Sequence, residues 1–216
     1  MAKKIFVTAT NTGVGKTFTT LRLMEKAAEA GFRVGALKPI ETGVEGGKPQ
    51  DGMKLLEMMK RVNPSASGIT LEEIVPLQYT LPAAPYVAKG DSAVEWSKIG
   101  RSLELIEPLC DILFIEGAGG LLVPIDEKRF MIDLPSLFDA HTLLVSPSRL
   151  GSINDTLLSI EALKRRGVGF DLAVNLFEER ESFYTVTLPY YEKAGVSLYL
   201  LPRDLEALTV SLSTPG

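Results

Sequence analysis

The chain has 216 residues, 45% of them hydrophobic and 23% charged, with a formal net charge of −4. That length and apolar content suit one soluble domain with a sizeable core, and the mildly acidic balance argues against nucleic acid or an anionic membrane as a partner. The single cysteine, Cys110, excludes an internal disulfide; with no secretory-type N-terminus and no apolar run long enough to span a bilayer, a cytoplasmic location is expected.

A β-branched and aromatic run, Lys4–Thr8, reads as the first strand. It leads into Ala9-Thr10-Asn11-Thr12-Gly13-Val14-Gly15-Lys16-Thr17, and Lys16–Ala30 then reads as a helix. A strand, a glycine-bearing turn and Gly-Lys-Thr at a helix start form the context of a phosphate-binding loop. Successive backbone N–H groups point into one concavity there, and the helix N-terminus adds partial positive charge. Lys16 then reaches the terminal phosphates and Thr17 offers its hydroxyl to Mg²⁺. Gly13, Val14, Gly15, Lys16, Thr17 and Phe18 make up the expected nucleotide-binding stretch. Thr10 stands where the usual pattern has its first glycine. An ordinary strand–helix turn is the alternative, and the strand–loop–helix context favours the nucleotide site.

Gly31 signals a C-cap, and Arg33–Ile40 reads as the second strand. Lys38, near its end and followed by Pro39, falls where open α/β sheets keep their ligands, outside the carboxyl ends of the strands. Glu41–Gly52 is a polar, glycine-rich loop before a helix over Met53–Val62. From Asn63 to Asp91 the signal weakens: Pro76, Pro82 and Pro85 break regular structure, and Leu81–Pro85 reads as a rigid surface segment. A helix is expected over Val94–Ile106 with Trp96 buried. Asp111–Ile115 is the kind of apolar run that forms a strand covered on both faces. It ends in Glu116-Gly117-Ala118-Gly119-Gly120, a carboxylate with glycines behind it, which reads as a ligand for Mg²⁺ or substrate rather than as a solvated acid.

His141–Ser146 is another strand and Pro147–Leu150 a loop. Gly151-Ser152-Ile153-Asn154-Asp155 opens a helix, with Ser152 and Asp155 at capping-box spacing. That helix closes on Lys164-Arg165-Arg166-Gly167, so the basic triplet reads as a helix terminus rather than a phosphate patch. Asp171–Leu176 is a strand whose end carries Asn175, an amide that either pairs with a nucleobase edge or closes a turn. A helix near Tyr184–Lys193, interrupted or started by Pro189, precedes a last strand over Val196–Leu200, and Pro202–Gly216 carries little signal. The alternation predicts a doubly wound, mostly parallel α/β sheet with helices on both faces, P-loop NTPase-like, as a single domain over residues 1–216.

Such a sheet would collect Lys16, Thr17, Lys38, Thr42, Asp51 and Glu116 at one end. Thr17 with two carboxylates is a hard-oxygen set suited to Mg²⁺. Two lysines are more positive charge than a bound triphosphate requires, so Lys38 can hold a second anion that attacks the γ-phosphate. Phosphoryl transfer is mainly positioning and charge neutralisation and needs no dedicated nucleophile. Cys110 is expected to be buried and inert, and the lone His141 has no partners for a zinc site.

The set Thr10-x-Thr12-x-x-Gly15-Lys16-Thr17, Lys38-Pro39-x-x-Thr42-Gly43, Glu116-Gly117-Ala118-Gly119-Gly120 and Gly151-x-Ile153-Asn154 resembles the dethiobiotin synthetases, in matching order over most of the chain. The resemblance implies closure of a ureido ring from 7,8-diaminononanoate, CO₂ and ATP with Mg²⁺, through a carbamate and its anhydride with phosphate. It implies that Lys16 holds the ATP phosphates and that Thr17, Asp51 and Glu116 bind Mg²⁺. Lys38 would stabilise the carbamate, with Thr12 and Thr42 close by and Glu116 and Gly119 also at the substrate. Backbone N–H groups of Gly151, Ser152, Ile153 and Asn154 would take the distal carboxylate across a two-fold homodimer with shared sites. Asn175 occupies the position of an adenine-contacting amide. The tail after Leu201 lacks a base-recognition loop, which leaves other nucleoside triphosphates open beside ATP. Two other readings share this core. A regulatory ATPase switch of the chromosome-partition or division-site type would carry a second loop lysine where Asn11 stands. A cobyrinic-acid-type amide synthetase would need a further glutaminase domain.

Overall fold

The computed structural model describes residues 1–214; Pro215 and Gly216, at the end of the weakly signalled tail, lie outside them. The chain runs β1 (Lys3–Ala9), α1 (Lys16–Glu29), β2 (Val34–Leu37), β3 (Ile40–Thr42), α2 (Gln50–Val62), α3 (Leu71–Ile74), β4 (Leu77–Tyr79), α4 (Pro85–Ala88) and α5 (Trp96–Ile106). It continues through β5 (Ile112–Glu116), α6 (Leu134–Phe138), β6 (His141–Pro147), α7 (Ser152–Arg165), β7 (Phe170–Asn175), α8 (Arg180–Ser182), α9 (Leu188–Lys193), β8 (Tyr199–Leu201) and α10 (Leu205–Ser213). Six strands form one sheet in the order β2-β5-β1-β6-β7-β8, and every pair in it is parallel.

The apolar runs explain this architecture. Every residue of β2 and β5 is buried, as expected for strands covered on both faces. Along β6 and β7 alternate side chains go to opposite sides of the sheet. Leu143, Val145 and Ala173 join the core that holds Leu23 of α1 and Leu208 of α10, whereas Leu144 and Leu172 join Ile160 and Leu163 of α7. The strand order reverses around β1, with β5 on one side and β6 on the other. That switch point is where open α/β sheets form a ligand crevice.

Several sequence expectations change in the folded chain. Arg33–Ile40 is not one strand. Pro39 has no N–H to give a ladder, so β2 stops at Leu37, the Lys38 N–H donates to the Ile74 carbonyl (2.8 Å), and Ile40–Thr42 pairs with Leu77–Tyr79 in a separate two-stranded sheet. The weak region from Asn63 to Asp91 supplies that partner strand and a short helix, α3, whose start is closed by a Thr70–Glu73 capping box. Helix α2 begins at Gln50 rather than Met53, which places Asp51 in its first turn. Trp96 is half-buried: its Nε1–H donates to Asp126 (3.0 Å), and the Arg129 guanidinium lies 4.6 Å from its ring centre. The helix expected from Tyr184 starts at Arg180 and passes through a π-helical turn, Phe183–Thr187, into α9. Part of the tail is the helix α10, seated in the core through Leu208 and Leu212. Cys110 is buried, and burial pushes its thiol up to about 12. His141 is exposed and pairs with Asp171 at 2.9 Å. Among the described residues no helix is long and apolar enough to cross a membrane.

Candidate active site

β1 delivers the chain into a turn where Gly13 and Gly15 adopt left-handed φ angles of 78° and 94° and lead into α1. Gly15 is the N-cap of that helix and no side chain caps it, so the first amides of α1 remain open toward the turn. A Cβ on Gly15 would also stand 2.5 Å from Asn175 Nδ2, so glycine is required for both conformation and space. Lys16 follows, 8% exposed, with Nζ donating to the carbonyls of Asn11 (3.3 Å) and Gly119 (3.0 Å). Burial and then the neighbouring Lys38 charge lower its pKa to about 8, against opposing pulls from Glu116 and Asp51. Thr12 stays exposed at the mouth, its N–H held by Asn11 Oδ1 at 2.8 Å.

Sheet register explains how Lys38 meets Glu116. Leu37 pairs with Ile115, so the next residues of the two strands lie side by side. Lys38 is 3% exposed and Glu116 fully buried. Lys38 Nζ donates to Glu116 Oε1 (2.6 Å), to Asp51 Oδ2 (3.1 Å) and to the Gly117 carbonyl (3.3 Å). Glu116 Oε1 also accepts from Thr17 Oγ1 (2.8 Å), and Oε2 accepts from Thr20 Oγ1 (3.0 Å). Burial by itself would lower the Lys38 pKa, but Glu116 and Asp51 outweigh it and hold the ammonium above its ordinary value. Thr20 lies outside the Gly-Lys-Thr motif, but its place one helical turn after Lys16 puts it on the same face of α1.

Asp51 is positioned by a cap from elsewhere in the chain. Pro49, the N-cap of α2, offers no side-chain bond. Glu41 of β3 instead accepts from the backbone N–H groups of Asp51 (3.0 Å) and Gly52 (2.9 Å). Burial raises the Glu41 pKa against those two bonds. Burial would also raise Asp51, but Lys38 overcomes it and holds that carboxyl below its ordinary value. Gly52 is required because a Cβ there would lie 2.0 Å from Val75. These groups open on a cleft of about 660 Å³, which Thr12, Phe18, Thr42 and Gly119 also border. Its far wall is Pro82–Pro85 with Val123, so the segment read as rigid surface encloses the site. A more open groove of about 790 Å³ runs beside α3 and α5, away from the phosphate loop, and none of its charged side chains is buried.

Glu116 does not itself border this cleft and meets it through Lys38 and Thr17, and two further expected pieces lie outside it. Gly151, with φ 89°, is the N-cap of α7, and none of Gly151, Ser152, Ile153 and Asn154 borders the cleft. The capping box expected there does not form. Ser152 lies inside the first turn, 1% exposed, with its hydroxyl unpartnered, while Asp155 faces Arg149 at 3.6 Å. Asn175 is 1% exposed and turned onto the phosphate loop. Its Nδ2 donates to the carbonyls of Val14 (2.8 Å) and Gly15 (3.3 Å), and its Oδ1 accepts from Thr19 Oγ1 (3.2 Å). The amide expected at the nucleobase is engaged at both ends inside the chain, where it braces the loop.

Comparison with known proteins bears on the family and the fold. The profile of a family described as an AAA domain matches residues 3–175. The chain is 48% identical over 208 residues to the ATP-dependent dethiobiotin synthetase of Sulfurovum sp. (strain NBC37-1), which covers 96% of this chain and 99% of that one. It is 41% identical over 213 residues to that of Wolinella succinogenes, covering 97% and 98%. Among solved structures it is similar to the MinC:MinD cell division protein complex of Aquifex aeolicus, with TM-score 0.53, 17% identity, and coverage of 96% and 86%. A plasmid partition protein from Borrelia burgdorferi gives TM-score 0.56 and 12% identity, covering 98% and 96%. These two distant likenesses speak for the fold alone.

Proposed function

The chain belongs to the ATP-dependent dethiobiotin synthetases, ATP-using ligases of biotin biosynthesis, and from that premise we propose that it closes the ureido ring of dethiobiotin from 7,8-diaminononanoate, CO₂ and ATP. The observation that carries this reading is the second buried ammonium. Lys16 serves the nucleotide phosphates, and Lys38 stands beside it, held by Glu116 and Asp51, where another anion can meet the γ-phosphate. A partition-type switch would have a lysine in place of Asn11, whose side chain here only bonds the next amide in the loop.

One substrate amine adds to the carbon of CO₂ and loses a proton, leaving a carbamate. Lys38 holds this anion, with Thr12 and Thr42 beside it. A carbamate oxygen attacks the γ-phosphorus, the bond to ADP breaks, and Lys16 offsets the charge that shifts over the phosphates. The second amine then attacks the carbamoyl carbon, phosphate leaves, and a proton departs as the ring closes. Thr17, Asp51 and Glu116 fit Mg²⁺. Asp51 and Glu116 both lie within 3.1 Å of Lys38 Nζ and the Thr17 hydroxyl donates to Glu116 (2.8 Å), and Mg²⁺ takes a few protein oxygens while phosphate and water complete its shell. Bound there, it would supply further neutralisation of phosphate charge.

The distal substrate carboxylate is assigned to the amides at the start of α7 of a second copy of the chain, in a homodimer. The apolar surface around that helix supports this. Leu150 is 86% exposed, and Leu122 and Leu158, 61% and 60% exposed, border one groove. Nucleic acid and membranes have no part in the proposal.

The test is phosphate release from Mg-ATP with bicarbonate, with and without the diamine, and the mass of the product. Diamine-dependent release with a ureido product is expected. Release indifferent to the diamine overturns the reading and returns the chain to the ATPase switches. A fully active monomer in sedimentation would overturn the shared site alone.

A further inference from the structure

Two phenylalanines stand at the surface on the side where Asn175 braces the phosphate loop. Phe18 follows Lys16-Thr17 in the first turn of α1, and Phe177 lies just beyond the end of β7. Their rings meet edge to face, with centroids 4.7 Å apart and planes at 77°, yet they remain 42% and 58% exposed. The pair is anchored on the loop itself, since a Cβ on Gly15 would come within 3.0 Å of Phe177 Cε2. Phe18 borders the large cleft, and Phe177 borders a small hollow of about 80 Å³ shared with Gly13 and Val14.

The direction of a bound nucleotide follows from the loop. Backbone N–H groups of such a loop hold the α- and β-phosphates, and its lysine reaches the β- and γ-phosphates. With Lys38 at the γ end, the sugar and base leave away from Lys38, over the first turn of α1, where the aromatic pair is exposed. The side chain best placed to read a base edge there, Asn175, has both ends of its amide engaged by Val14, Gly15 and Thr19.

We propose that Phe18 and Phe177 form the nucleobase platform of this enzyme, so that the base is held by stacking and not by pairing with Asn175. This rests on the nucleotide reading of the loop given above. Every base has a π-face, so a stacking platform is tolerant of base identity. The chain then accepts purine and pyrimidine triphosphates with similar affinity, and its selectivity lies with the phosphates and the diamine.

Calorimetric titration of the full chain with Mg²⁺ complexes of β,γ-methylene ATP, GTP and CTP, and of tripolyphosphate, tests the proposal. Phe177→Ala is expected to weaken all three nucleotides alike, by about 5- to 100-fold, and to leave tripolyphosphate binding unchanged. Phe177→Trp is expected to keep wild-type affinity, which separates loss of the ring from loss of the fold. A parallel loss of tripolyphosphate binding would show that the ring merely props the loop. A loss confined to one base would show hydrogen-bond reading, and no loss would remove the platform; each of these overturns the proposal. A wild-type chain that binds neither nucleotide nor tripolyphosphate would overturn the nucleotide premise itself.

Discussion

Helices α1 and α7 begin in the same way and end in different circumstances. Each is 14 residues long, each follows a left-handed glycine, Gly15 or Gly151, and neither has a side-chain cap. Both therefore present free amides and the positive end of a helix dipole, although at α7 the Ser152 N–H is taken by the Arg149 carbonyl (3.1 Å). The start of α1 faces a cleft with Lys16 and Lys38, and Asn175 braces its loop from behind. The start of α7 borders no part of that cleft and leaves the Ser152 hydroxyl without a partner. An anion site is thus made by what the rest of the fold brings to a helix end. One of these two ends is furnished within a single chain, and the other, in our proposal, is completed by a second copy.

The sharpest way to break the comparison is at the charges that only α1 possesses. Lys38→Ala should reduce turnover by about 10²- to 10³-fold, the loss seen on deleting one preorganised donor, while nucleotide binding is largely kept. It should also cost the ligand-free protein about 3–5 kcal/mol in chemical denaturation, because Glu116 is left buried without its cation. Turnover that survives would show the second-anion role of Lys38 to be wrong.

Next in size is the left-handed glycine of α1. Gly15→Ala should weaken nucleotide binding by about 100-fold in calorimetry, since backbone strain of about 1–3 kcal/mol adds to the collision with Asn175. The matching change on the other helix should be milder and differently directed. Around Gly151 the nearest atom to an added Cβ is Arg149 Nη1 at 3.8 Å, so strain acts alone. Gly151→Ala should raise KM for the diamine by about 5- to 10-fold through that strain, with KM for ATP unmoved. A parallel rise in both would mean that α7 is not a separate anion site.

The smallest expected effect concerns the cap borrowed from β3. Glu41→Ala removes the acceptor for Asp51 and Gly52, and a lost cap is worth about 0.5–2 kcal/mol. The Mg²⁺ concentration for half-maximal activity should rise about threefold as Asp51 loosens, a shift that a magnesium titration of initial rates resolves. An unchanged requirement would separate Asp51 from the metal.

By itself the sequence determined what is carried by contiguous residues. Strand-to-helix alternation, the phosphate loop from Gly13 to Thr17, and the strand-end positions of Lys38 and Glu116 were legible because local dihedral preference and side-chain period encode them. Tertiary structure decided which of these meet. Parallel register brings Lys38 within 2.6 Å of Glu116, and the helix that carries Asp51 is held at its start by Glu41 from another strand. The proline segment Pro82–Pro85 became a wall of the site only when Ile40–Thr42 found a partner in Leu77–Tyr79. Local rules also failed where packing overrode them. Ser152 had the spacing of a cap and became a buried first-turn residue behind Gly151, and Asn175, which local sequence leaves open between a base edge and a turn, bonds Val14, Gly15 and Thr19 in the ligand-free chain. A short motif specifies backbone shape over one turn, whereas the partner of each polar side chain is settled by residues far away in sequence that packing brings into reach.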